Sequence, residues 1–213
     1  FVVKFIGDSV MAVFPKRVED AIAAALAQFD QVRQYNTLNA TADHAPIEIG
    51  IGLHTGPLML GIIGEPTRMQ GDALSDTVNL AARLEGLSKL YHVPLLISGD
   101  VVHHLSPDHP FTLRFLDRVM VKGRRGCLDI YEVLEAEPPA RRTLKLKTQA
   151  LFEQGVQGYR DRQWAAAIAC FHQVLALNPE DGAAQLYIER LTHLQQHDAP
   201  PTWDGVWAFD QKR

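Results

Sequence analysis

Little in this chain points to a scaffold held by covalent or metal staples. Only two cysteines occur among its 213 residues, and the separation of Cys127 from Cys170 matches no zinc or disulfide spacing. Such a pair fits a reducing cytosol. No apolar run approaches the roughly 20 residues that a membrane-crossing helix needs. Charge of one sign is also scarce: 21 Lys and Arg against 25 Asp and Glu leave a formal charge of −4, and no basic stripe for a nucleic acid emerges. The chain opens at Phe1, without Met, inside a strand-like run and with no secretion signature. It is therefore expected to be a fragment from the cytoplasm, with any membrane anchor lying upstream. What is present is globular: 46% hydrophobic and 22% charged residues argue against disorder. The length suits one medium domain with its own core and a smaller appendage.

Apolar runs over 1–6 and 9–14, joined at Gly7-Asp8, read as a hairpin. Pro15 closes it, and an Ala- and Leu-rich helix is expected from Glu19 to about Asn36. Ile47, Ile49, Ile51 and Leu53 alternate with Glu48, Gly50, Gly52 and His54, the period of a strand. Thr55-Gly56-Pro57 turns into a second apolar run over 58–63. After a loop come a helix over about 76–90, a buried strand over 93–98, and two strands over 111–121 and 128–134. These alternating elements predict an α+β domain over 1–134, with helices packed on a mostly antiparallel sheet. Composition shifts at Glu135 to Pro139, and 135–147 reads as a linker. Residues 148–196 are expected to be helical, broken at Asn178-Pro179, and 197–213 form a tail with no assignable period.

Three clusters can carry chemistry. In Lys4-Phe5-Ile6-Gly7-Asp8 the glycine permits a tight turn, so Asp8 projects at a hairpin tip where a carboxylate can reach a hard cation. A plain turn explains Gly-Asp equally well. In the run from Gly71 to Glu85, Ser75 or Asp76 can cap a helix. Asn79 and Arg83, four apart, share one of its faces. An amide and a guanidinium together suit an anionic substrate, although a solvated face is the commoner role. The third cluster, Lys122-Gly123-Arg124-Arg125-Gly126, is a basic turn that could clasp phosphates.

Taken in order, Lys4 to Asp8, Asp72 with Thr77 to Arg83, and Val121-Lys122-Gly123 resemble the signature of class III nucleotide cyclases, over about residues 1–134. The resemblance implies a ferredoxin-like antiparallel sheet with helices packed on it, and conversion of ATP to 3′,5′-cyclic AMP and pyrophosphate. It implies Asp8 as one of two aspartates holding two Mg²⁺ or Mn²⁺ ions. Lys4 and Asp72 would read adenine, Asn79 and Arg83 would stabilise the transition state, and Lys122 would hold the terminal phosphates. Adenine offers an acceptor at N1 and a donor at its amino group, which a Lys donor and an Asp acceptor complement. Guanylate cyclases resemble the family with Glu and Cys at these places, so Lys4 and Asp72 favour ATP. The family pairs two domains head to tail in a homodimer with shared sites. Its first metal aspartate lies upstream of these motifs and nothing before Phe1 supplies it, so the chain by itself is expected to be inactive.

Gly155, Tyr159, Trp164, Ala167, Phe171 and Pro179 are spaced as in one tetratricopeptide repeat, which implies a helical hairpin over 148–196. A single repeat cannot bury both faces. It would either dock on its own catalytic domain or bind a protein partner. Two alternatives to an adenylate cyclase remain at this point: a non-catalytic module that dimerises and binds a partner, and a guanylate cyclase.

Overall fold

A computed structural model describes residues 1–40, 45–65, 68–121, 126–197 and 203–209. A five-stranded sheet lies at the centre. Its strands, in spatial order, are β3 (Ile51–Leu53), β6 (Leu95–Ser98), β8 (Leu128–Val133), β7 (Leu113–Val121) and β9 (Trp207–Phe209). The outer pairs β3–β6 and β7–β9 are parallel, and the inner pairs are antiparallel. The sheet is thus mixed, which corrects the expectation of a mostly antiparallel one. Two further hairpins stand apart from it: β1 (Val2–Ile6) with β2 (Ser9–Ala12), and β4 (Met59–Glu65) with β5 (Arg68–Leu74). β5 occupies the stretch expected to be a loop.

Helices cover both faces of the sheet, and the alternation along β6 shows how. Leu95 and Ile97 point into a cluster with Ile22, Ala25 and Phe29 of α1 (Val18–Leu38), whereas Leu96 joins Leu80, Leu84 and Leu87 of α2 (Asp76–Tyr91). A strand buried on both sides needs a continuous apolar run rather than an alternating one. α1 is rich in alanine, buries positions 22, 25 and 29 on one stripe, and carries Glu19 and Asp20 in its first turn, where the helix dipole favours negative charge. A short helix, α3 (Gly99–His103), starts on Ser98, whose hydroxyl accepts from the Val101 amide.

The C-terminal part differs from expectation in two ways. Three helices form it rather than a hairpin of two: α4 (Pro139–Arg160), α5 (Trp164–Leu177) and α6 (Gly182–His197). The first begins at Pro139, within the stretch expected to be a linker. A proline in the first helical turn loses no intrahelical hydrogen bond, so the Pro-Pro pair starts a helix here. α4 and α5 approach closely at Gly155, where an added Cβ would meet the Phe171 ring at 2.8 Å. Phe152, Tyr159, Phe171 and Tyr187 of these helices share one core cluster with Leu116, Val119, Leu128 and Ile130 of the sheet. The helices therefore complete the second layer over this sheet.

Ion pairs run through this same layer. Fully buried Arg114 of β7 donates to Glu132 of β8 at 2.8 Å and to Asp181, just before α6, at 2.9 Å. Lys145 of α4 donates to Glu132 and, at 2.6 Å, to Glu137. Charges so deeply buried persist only when paired.

Candidate active site

α2 carries two of the expected site residues, Asn79 and Arg83. Ser75 caps it, its hydroxyl accepting from the Val78 amide, and His92 closes it in the left-handed conformation at φ 52°. Leu80, Leu84, Leu87, Ser88 and Tyr91 are buried. Two glycines of the preceding strand region let the helix lie close: a Cβ on Gly52 would stand 2.2 Å from the Glu85 nitrogen and 2.5 Å from the Ala81 carbonyl oxygen. The packing leaves Asn79 exposed and Arg83 half-buried, one turn apart.

Arg83 lines an open cleft of about 750 Å³ with His54, Thr55, Asp76, Thr77 and His104. The turn after β3 is fastened to α2 there, because the Thr77 hydroxyl donates to the Pro57 carbonyl at 2.7 Å. His54 and Asp100 were not foreseen at this cleft. His54 Nδ1 lies 2.8 Å from the Ser98 hydroxyl and 3.7 Å from Asp100 Oδ2. The local signals were the alternation that ends at His54 and the Ser98-Gly99-Asp100 helix start.

Lys4 and Asp72 are brought together from 68 residues apart: Lys4 Nζ donates to Asp72 Oδ1 at 2.6 Å, with both side chains partly exposed. β1 and β5 thus meet through the two side chains assigned to base reading. The hydrogen bond from Lys4 holds the Asp72 carboxyl below the usual carboxylate range against a smaller desolvation effect, and the Ala73 amide adds to the lowering. The pair presents a donor and an acceptor side by side.

Asp8 sits at the exposed tip of the β1–β2 hairpin, next to Gly7 at φ 62°. That conformation favours glycine. An oxygen donor at such a tip suits Mg²⁺ or Mn²⁺. Among the described residues no group of three or more His, Cys, Asp or Glu stands together to hold a metal ion; Asp8 offers a single exposed carboxylate. The expectation for Lys122 lies outside the described residues; it follows Val121, the last residue of β7. Among the described residues, no helix is long and apolar enough to cross a membrane.

A mixed sheet layered with helices carries the Asn–Arg face on α2, and the outlying hairpins carry the Lys–Asp pair. A solved bacterial light-regulated adenylyl cyclase is similar in fold, with a TM-score of 0.56 and 30% identity over 65% of this chain and 40% of that one. The chain matches the adenylate and guanylate cyclase catalytic domain over residues 2–135 and belongs to that family. The terminal-differentiation-specific adenylate cyclase of Dictyostelium discoideum is 33% identical over 194 residues, covering 89% of this chain and 9% of that protein. The similarity is longer than the catalytic domain and so continues into the C-terminal helices. An adenylate cyclase of Anabaena cylindrica is 37% identical over 62% of this chain and 28% of its own length. The chain spans less than a third of either curated relative.

Proposed function

We propose that this chain supplies the substrate-reading half of an adenylate cyclase site. The observation that carries this reading is the Lys4–Asp72 pair, whose donor and acceptor match adenine N1 and its 6-amino group. Guanine presents the opposite pattern, and a site that leaves polar groups unpaired rejects the wrong base. The names of the Dictyostelium and Anabaena relatives support the same choice over the guanylate alternative.

In this reaction the ribose 3′-hydroxyl passes its proton to solvent water and attacks the α-phosphorus in line. The new oxygen–phosphorus bond forms as the bond to the β-phosphate oxygen breaks, and pyrophosphate leaves. Arg83 and Asn79 stabilise the transition state electrostatically, the guanidinium neutralising charge and the amide orienting an oxygen. Lys122 holds the terminal phosphates. Two divalent ions, Mg²⁺ or Mn²⁺, would activate the nucleophile and neutralise charge, with Asp8 as one of their ligands. That carboxylate would serve the site of the opposite protomer in a head-to-tail dimer. Large apolar side chains exposed on the two outlying hairpins, among them Phe1, Phe5, Ile6, Met59 and Leu60, support pairing with a second copy.

The test exchanges the base-reading pair. In an active dimer, Lys4→Glu with Asp72→Cys is expected to lower turnover of ATP far more than that of GTP. An unmodified enzyme that turned over GTP faster than ATP would refute the assignment.

A further inference from the structure

Four elements converge on one buried guanidinium. Arg190 of α6 is 3% exposed. Its Nη1 donates to Asp117 Oδ2 of β7 at 2.6 Å, and its Nη2 donates to the Tyr91 hydroxyl at the end of α2 at 2.9 Å. Tyr91 in turn donates to the same Asp117 oxygen at 2.5 Å. Trp207 and Phe209 of β9 flank the guanidinium at 5.0 and 5.3 Å, within the range of cation–π attraction. Burial, and secondarily the neighbouring Asp117 carboxylate, push the Tyr91 hydroxyl up, so it stays protonated and keeps donating.

We propose that Arg190 is a positioning residue: it locks the helix that carries Asn79 and Arg83 to the strand that leads into Lys122, with β9 strapped over the joint. This rests on the cyclase reading above. Tyr91 lies twelve residues from Asn79 on the same helix, about 18 Å along its axis. Asp117 is four residues from Val121, about 13 Å along β7. β9 pairs Trp207, Ala208 and Phe209 with Val119, Met120 and Val121, the last three residues of β7. It covers the backbone edge that would otherwise be open there. The start of α6 also abuts the end of α2, since a Cβ on Gly182 would meet the His92 Cβ at 2.4 Å. A shift of α6 thus moves both chemistry-bearing elements. A buried ion pair contributes little net stability over apolar packing of the same volume; a three-way polar joint fixes relative placement instead.

Tyr91→Phe keeps the ring, removes the hydroxyl, and leaves Asp117 and Arg190 paired. It is placed in this chain and assayed in a dimer whose other protomer carries both metal aspartates and Arg83→Ala. Positioning predicts that kcat falls about 10-fold well below the melting temperature, while KM for ATP changes less than about 3-fold. Trp207→Ala should give the same split. In an Asn79→Ala background, Tyr91→Phe should cost less than about 2-fold, because the contribution it acts through is already gone. Equal losses in both backgrounds, or a kcat that follows only the melting temperature, would overturn the proposal. Amide hydrogen exchange of the same variants needs no turnover. Faster exchange in both α2 and β7 supports the joint, and a change confined to α6 contradicts it. If the unaltered dimer formed no cyclic nucleotide, the cyclase reading would fall and the exchange result alone would decide the joint.

Discussion

Lys4 and Asp72 hold one another in a partly exposed contact, and that contact has a measurable consequence for pH. A carboxyl whose folded value is depressed contributes stability that is fully present above its unfolded value, about 3.9. The contribution is lost as pH falls through the lower folded value. The Lys4–Asp72 pair should therefore stay intact from neutral pH down through the ordinary carboxylate range. Carboxyl titration followed by NMR should place Asp72 below the range of unperturbed aspartates. Lys4→Met should raise it, because its largest cause is the Lys4 hydrogen bond. An Asp72 that titrates identically with and without Lys4 would show that the two side chains do not pair in solution. At this scale the sequence was informative about kinds of residue and silent about long-range contacts. Asn79 and Arg83 are local, four apart on a helix whose cap is visible in Ser75. The meeting of Lys4 with Asp72 across 68 residues came only through the family resemblance. The joint at Arg190 had no signal, because a lone arginine on a helix reads as a solvated charge.

α2 owes its placement to the absence of side chains beneath it. Gly52 lets the backbone of residues 81–85 approach β3 to distances that no Cβ tolerates. Since the obstacle is backbone, Gly52→Ala must push α2 away from the sheet, at a cost of about 1–3 kcal/mol. Thermal melting should register that loss, and kcat should fall with it because Asn79 and Arg83 move outward. A variant that melts and turns over normally would mean that the helix does not sit where it is described. Elements were otherwise legible in proportion to their periodicity. α1 and α2 were foreseen to within a few residues, since each repeats an apolar stripe. β5 was missed because Gln70, Gly71 and Asp72 break any alternation. β9, three residues long, is too short to carry a period. The start of α4 was hidden by a Pro-Pro pair that reads as a linker and serves as a helix N-terminus.

The five-stranded sheet, α2 and the C-terminal helices form one layered unit. The core cluster that contains Leu84 and Leu96 also contains Phe152, Phe171 and Tyr187, and buried ion pairs cross the same boundary at Arg114–Asp181 and Arg190–Asp117. Removing the helices would take Asp181 from Arg114 and Arg190 from Asp117, leaving each charge short of one partner at a cost in stability. Calorimetry should accordingly show a single transition whose van't Hoff and calorimetric enthalpies agree. Two separable transitions would mean that the helices fold independently of the sheet. The helices' own spacing of Gly155, Tyr159, Trp164, Ala167 and Phe171 was readable as close helix packing. Their attachment to the sheet was not, because it joins apolar residues far apart in the chain and buried charges that sequence patterning assigns to solvent.

As proposed above, this chain contributes Lys4, Asp72, Asn79, Arg83 and Lys122 to a site completed by a second protomer. The most direct measurement is cyclic AMP formation from ATP with Mg²⁺ or Mn²⁺ by three samples: this chain alone, a longer protomer bearing both metal aspartates but carrying Arg83→Ala, and their mixture. Asp8 alone does not make a metal site, and removing a preorganised charge of Arg83's kind costs roughly 10²-fold or more. Each protein by itself should therefore be nearly inactive. The mixture should be active, because one of its two shared sites is whole. A co-purified heterodimer that forms no cyclic AMP would contradict the account.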